Sequence, residues 1–218
     1  MGIFIAITIM VCLGLVYWWA TVYEKKRREN LIEMAQTLGL EISCELAPQD
    51  KIRFERFGIA KLGHTQNINM VLCADTSKTR MVVFDYEYIK GHGKHRICRI
   101  FSMVLCTDAR LKAPKLALEP ESWSTKIAAM IGARDIDFND DPQFSSAFQL
   151  VGPDEVAVRQ FIDTPRRKAI MAHPSLRMEV DGDALLIMQP RFRLDAESIR
   201  TYMSQALTVT QIMIDPAS

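Results

Sequence analysis

Hydrophobic and polar positions divide the chain unevenly. Residues 1–23 carry no Asp, Glu, Lys, Arg or His, and residues 3–20 are 18 consecutive uncharged, mainly apolar positions. As a helix rising ~1.5 Å per residue, that run is roughly 27 Å long, close to the thickness of a bilayer's hydrocarbon core. Helical spacing then continues through ENLIEMAQTLGL, where Leu31, Ile32, Ala35 and Leu38 recur and Gly39 offers a stop; this predicts a stalk or a docking helix. A short helix is expected over residues 48–57, with Pro48 in its first turn and Ile52 and Phe57 burying one side.

From Asn67 the period changes to two. NINMVLCA, TRMVVFDYEYI and HRICRIFSMVLCT predict three antiparallel strands, broken by Asp-Thr-Ser-Lys and Gly-His-Gly-Lys. In the second, Phe84, Tyr86 and Tyr88 share one face while Asp85 and Glu87 share the other, and Arg99 is expected to reach those acids across the hairpin. A short strand at KLALEP precedes a helix around residues 122–131, with Ser122 as N-cap, Trp123, Ile127 and Met130 on one face and Gly132 at its end. RDIDFNDDPQF reads as an acidic loop before a strand SSAFQLVG, followed by a helix opened by Pro153 and Asp154 that carries Val156, Val158 and Phe161. Thr164-Pro165 starts another helix. LRMEV and ALLIMQ flank Asp181-Gly182-Asp183, the clearest tight-hairpin signal in the chain. Asp195 caps a last helix, whose stripe of Ile199, Tyr202, Met203, Ala206, Leu207 and Thr210 closes the core.

Clustered strands with helices in no regular βαβ period give the α+β class. Three segments follow: residues 1–23 as a transmembrane anchor, 24–46 as a juxtamembrane helix or stalk, and 47–214 as a cytoplasmic domain of antiparallel strands with packed helices and a C-terminal amphipathic helix.

Charge changes the picture at the anchor's end. Trp18 and Trp19 lie there with Tyr17 and Tyr23, where amphipathic rings favour the headgroup layer, and Lys25, Lys26, Arg27 and Arg28 follow at once. These are the candidate membrane-surface residues. A cleaved signal peptide would want its cations before the apolar run, and N-myristoylation after Gly2 would want Ser or Thr where Ala6 stands. With the flanking cations on the C-terminal side, the positive-inside rule puts the N-terminus outside and the domain in the cytoplasm. In that reducing setting Cys12, Cys44, Cys73, Cys98 and Cys106, with no C-x-x-C pair, are expected as free thiols. A 218-residue chain with 49% apolar content and a formal charge of +1 folds a sizeable core and presents no global field to attract nucleic acid.

The stretch FDYEYIKGHGKHR holds the most chemistry. His92, His95 and Cys98 form a zinc-like ligand set that needs a fourth member such as His64; strand residues three apart face opposite ways, so a wet hairpin tip is the reading geometry favours and no metal is assigned. Gly91-His92-Gly93-Lys94 lacks the glycine and the Ser or Thr of a phosphate loop, because Tyr88 and His95 stand there, and no cofactor is expected. Asp135, Asp137, Asn139 and Asp141 have calcium-loop spacing, but Asp140 and Ser146 replace the glycine and glutamate that geometry requires. No catalytic motif is present, so no catalytic residue is named. Arg166, Arg167 and Lys168 form a second basic cluster that is either a lipid contact or a solvated helix end.

The order of these motifs, with Phe57-Gly58, FDYEYIKGHGKHR, Leu118-x-Pro120, DIDFNDDPQFSSAFQLVG and DEVAVRQFI, resembles a family of bacterial single-pass membrane-anchored proteins with a "FDYxY-t-Gxgk" hairpin and a "DIxF…PxFS" segment, over most of residues 50–210. The family carries no assigned activity, and its hairpin tips do not require histidine. The expectation is therefore a non-enzymatic protein whose cytoplasmic domain binds a protein partner, or itself, and organises a membrane assembly. An anionic lipid-headgroup sensor is the alternative, and an undetected hydrolase the third reading.

Overall fold

A computed structural model describes residues 2–121, 135–189 and 193–216. Its first helix, α1 (Gly2–Leu38), runs without a break from the apolar run into the domain. Gly39 ends it at φ +66°, where the Leu40 amide donates to Ala35 O at 2.8 Å and the Gly39 amide to Gln36 O at 3.2 Å. That left-handed cap satisfies carbonyls the helix would leave open, and glycine takes it without a Cβ penalty.

Eight strands follow: β1 (Glu41–Ser43), β2 (Thr65–Asp75), β3 (Thr79–Lys90), β4 (Ile97–Asp108), β5 (Ala113–Pro120), β6 (Phe148–Val151), β7 (Arg177–Gly182) and β8 (Ala184–Met188). They form one sheet in the order β1-β2-β3-β4-β8-β7-β5-β6, with every neighbouring pair antiparallel. The helices are α2 (Pro48–Phe54), α3 (Pro142–Ala147), α4 (Glu155–Phe161), α5 (Thr164–Met171) and α6 (Ala196–Ile214). The fold is α+β. The helix expected over residues 122–131, with Ser122, Trp123, Ile127, Met130 and Gly132, lies outside the described residues.

Alternation along the strands makes two cores. Met81 and Val83 of β3, Val104 and Cys106 of β4, and Leu185 and Ile187 of β8 face one way, against Leu31 and Ala35 of α1, Val158 of α4, Ile170 of α5 and the Ile199, Tyr202, Ala206 stripe of α6. Val82, Phe84 and Tyr86, with Met103, Leu105 and Leu186, face the other way, against Phe54, Phe57 and Ile59. Leu31 and Ala35 are fully buried, so the second half of α1 is a docking helix rather than a free stalk. The turn at residues 57–61 is pinned by Glu179 of β7, which accepts from the Gly58 amide and, at 3.0 Å, from the Ile59 amide. Burial raises the Glu179 carboxyl above its usual range, and those two amides only partly counter it.

Five expectations are corrected. Ile52 is 65% exposed, because the phase of α2 turns Asp50 and Phe54 inward instead. The first half of SSAFQLVG is helical: Asp141 caps α3 by accepting from the Phe144 amide at 3.2 Å, and only Phe148–Val151 forms a strand. Val156 and Leu207 are exposed. Arg99 pairs across the hairpin with Tyr88, which places it on the aromatic face, away from Asp85 and Glu87.

Candidate functional site

The cation that meets Asp85 comes from α1. Arg27 Nη1 donates to Asp85 Oδ2 at 2.8 Å, its Nη2 to Oδ1 at 3.2 Å, and its Nε to the Leu194 carbonyl at 2.8 Å. Ser102, opposite Asp85 on β4, donates to Asp85 Oδ1 at 2.7 Å and accepts from the Leu194 amide at 3.0 Å. Arg193 adds a 2.7 Å pair with Glu24 and lies 3.9 Å from Asp85. A two-pronged guanidinium–carboxylate pair with its remaining groups satisfied is the geometry that offsets the desolvation of two buried charges.

Arg27 thus departs from its neighbours in the basic cluster. It is 7% exposed, because the helix phase aims it at the sheet, whereas Lys25, Lys26 and Arg28 face out. Trp18 and Trp19 are exposed, and the Trp19 ring stacks on Tyr23 at 5.7 Å. α1 contains an 18-residue window of mean hydropathy 1.4, none of it buried, and is long and apolar enough to cross a membrane.

At the β3–β4 tip, Gly91 and Gly93 both take positive φ, and His95 ends a short turn whose amide donates to His92 O. The His64 and His92 rings lie 4.7 Å apart, but His64 Nε2 is bonded to Gly91 O at 2.9 Å. Cys98 pairs in register with Ile89, on the face of Asp85 and Glu87, and its thiol donates to Glu87 Oε1 at 3.0 Å. That bond pushes the thiol above its ordinary pKa. His92, His95 and Cys98 are not brought together, and among the described residues no three His, Cys, Asp or Glu side chains are grouped to hold a metal.

The acidic loop has a different employer. Arg167, 4% exposed, donates to Asp141 Oδ2 at 2.9 Å and Asp140 Oδ2 at 2.8 Å, and its guanidinium lies 4.1 Å over the Phe138 ring. Asp135 accepts from the Leu150 amide at 3.2 Å. Arg166 covers the Phe161 ring at 4.6 Å and caps the end of α6 through Met213 O at 3.2 and 3.1 Å. Of the second basic cluster, Lys168 alone is exposed.

Two open depressions among the described residues bear on binding. A crevice of about 440 Å³ lies between α1, β1 and β2, lined among others by Lys25, Arg28, Arg193, Ile32, Ile42 and Met70. Met70 sits at the bulge between Asn69 and Leu72 with φ +54°, a left-handed backbone that side chains seldom adopt. A groove of about 460 Å³ on the opposite face runs beside Leu46, Phe54, Gln66, Asn67 and Tyr86. It borders an open edge: β1 pairs only with Val71, Leu72 and Cys73, so among the described residues no strand covers the outer side of β2 over residues 65–69.

No family model matches the chain, and no curated protein matches it. Among solved structures it is similar to the crystal structure of the mycobacterial trehalose monomycolate transport factor A, TtfA, with a TM-score of 0.54 and 11% identity over 88% of this chain and 96% of that one. The two share a fold. At that identity the likeness concerns overall architecture alone.

Proposed function

We propose that the chain is a single-pass, membrane-anchored, non-catalytic binding protein whose domain docks a protein partner, or a second copy of itself, and so organises an assembly at the membrane surface. The observation that carries this reading is the rigid joint. A helix able to span the bilayer enters the core through Leu31 and Ala35 and is locked by Arg27 to Asp85, so the sheet is held at a fixed height and angle over its anchor. A protein that must reach dispersed substrates gains from a flexible tether, whereas one that presents a surface within a complex gains from a fixed one.

The open half of β2 is the surface offered. An extended segment added along residues 65–69 would satisfy backbone groups that no described strand pairs, with side-chain contacts in the adjoining groove. The cations Lys25, Lys26 and Arg28, all after the apolar run, support a cytoplasmic domain with the N-terminus outside. The likeness to a trehalose monomycolate transport factor is compatible with an accessory role of this kind. A lipid-sensing role through Arg166 and Arg167 loses its support, because both guanidiniums are engaged within the domain.

A photo-crosslinking residue placed at Asn67 or Asn69 of the full chain in its native membrane tests the reading. A discrete crosslinked product at these positions, lost when Lys78 in the far turn carries the probe instead, is expected. A chain that purifies alone with no product from either edge position overturns it. Protease added outside intact cells is expected to spare the domain; digestion would reverse the orientation and leave the anchor standing.

A further inference from the structure

The crevice beside α1 meets the docking edge only at Asn69 and has a character of its own. It lies where α1 leaves the apolar run: at ~1.5 Å per residue, Lys25 and Arg28 are roughly 8–12 Å beyond Ala20, about the depth of a headgroup layer. Its lining carries the cations Lys25, Arg27, Arg28 and Arg193 against the carboxylates Glu24 and Asp85. Arg27 and Arg193 are committed to those carboxylates. Lys25 is 80% exposed with only a 3.9 Å contact to Glu29, and Arg28, also exposed, has no ion-pair partner among the described residues. Two cations therefore stand uncommitted at one wall, while Ile32, Ile42 and Met70 line another with apolar surface. An anion held between such walls interacts more strongly with a guanidinium than it would on an open surface. Met70 holds its left-handed backbone in this wall, and strain of that kind gathers at ligand-binding positions.

We propose that this crevice binds the phosphate-bearing headgroup of an anionic lipid from the leaflet that α1 leaves, with Arg28 and Lys25 as its cations. The assignment rests on the reading of α1 as a membrane span. It gives the domain a lipid contact beside the anchor, adjoining the protein-docking edge at Asn69.

The test uses the full chain in nanodiscs of equal parts phosphatidylglycerol and phosphatidylcholine, with retained lipid counted by native mass spectrometry. The chain is expected to keep phosphatidylglycerol in preference to phosphatidylcholine. Lys25→Gln and Arg28→Gln should each lower that retention roughly fivefold, the effect of one cation at the surface. Lys26→Gln, a surface cation outside the crevice, should lower it distinctly less than either. Both target side chains are exposed, and circular dichroism should show the variants folded. Equal retention of the two lipids, or an equal effect of Lys26→Gln, overturns the proposal. Displacement of the lipid by millimolar inorganic phosphate would assign the crevice to a free anion and overturn it as well. Release of the chain from vesicles by alkaline carbonate would remove the membrane reading itself, whereas a chain that stays embedded without lipid preference removes the crevice assignment alone.

Discussion

Arg27 and Asp85 are 58 positions apart in the chain and bonded through both guanidinium nitrogens to both carboxylate oxygens, each side chain 5% exposed. Removing one partner leaves the other as an uncompensated buried charge. Arg27→Ala and Asp85→Ala should each lower stability by about 3–5 kcal/mol, read from denaturant unfolding of the full chain in detergent. The double change Arg27→Met with Asp85→Leu should recover most of that loss, because an apolar pair of similar volume carries no desolvation cost. Single variants as stable as the parent would show that the joint is not held by this pair.

Arg167 plays the corresponding part for the acidic loop. Arg167→Ala should cost roughly 2–3 kcal/mol, less than a fully buried pair, because Asp140 is 69% exposed. With Asp141 capping α3 and Asp135 bonded to Leu150, calcium finds no free ligand set at the described loop residues. Millimolar calcium should leave the unfolding midpoint where it was; a rise with calcium concentration would restore the loop as a cation site.

Thiol labelling of the native protein should divide the cysteines of the domain by burial. Cys44 and Cys98 are exposed, while Cys73 and Cys106 are buried, and burial pushes the Cys106 thiol up to about 11. A maleimide reagent followed by peptide mapping should modify Cys44 and Cys98 and spare Cys106 until denaturant is added. Because the hydrogen bond to Glu87 holds the Cys98 thiol protonated, Glu87→Gln should speed its labelling.

Acid should weaken the fold through three aspartates. Hydrogen bonds from the Arg110 side chain hold Asp108 far below the usual carboxylate range, joined by Thr79. The Ser198 amide lowers Asp195, and Arg56 and Arg53 outweigh burial to lower Asp183. A carboxylate lowered in the folded state binds protons better when unfolded, so its contribution is complete above the unfolded value near pH 4 and is lost as pH falls through the folded one. Glu179 runs the opposite way: its raised value favours the folded state in acid. With three against one, unfolding midpoints should decline steadily from pH 5 to pH 2, and Asp108→Asn should flatten that decline.

The parts of the fold carried by local pattern were legible in the sequence. Period-two runs marked β2, β3 and β4, Asp181-Gly182-Asp183 marked the β7–β8 turn, and Asp154 and Asp195 marked helix starts that they cap at 3.0 and 2.8 Å. What was hidden depends on distant partners. The helix phase that Arg27 shares with Leu31 and Ala35 sets it apart from Lys26 and Arg28, but the carboxylate it meets there, Asp85, comes from distant β3. Nothing beside Arg167 shows that Asp140 and Asp141 will meet it, so basic cluster and acidic loop read as separate surface features. The phase of α2 escaped for a related reason, since in so short a helix the sheet chooses between Ile52 and Phe54. The crevice beside α1 takes its walls from α1, β1 and β2, which no single stretch of sequence joins.

An unbroken α1 also works as a keyed shaft. Each residue added or removed between Tyr23 and Arg27 would turn the whole sheet about the bilayer normal by about 100° and shift it by ~1.5 Å. For the docking role proposed above, the bearing of the β2 edge is set by the number of residues between the aromatic belt and the clamp, and an insertion of four, close to a full turn, should be tolerated where an insertion of two should not.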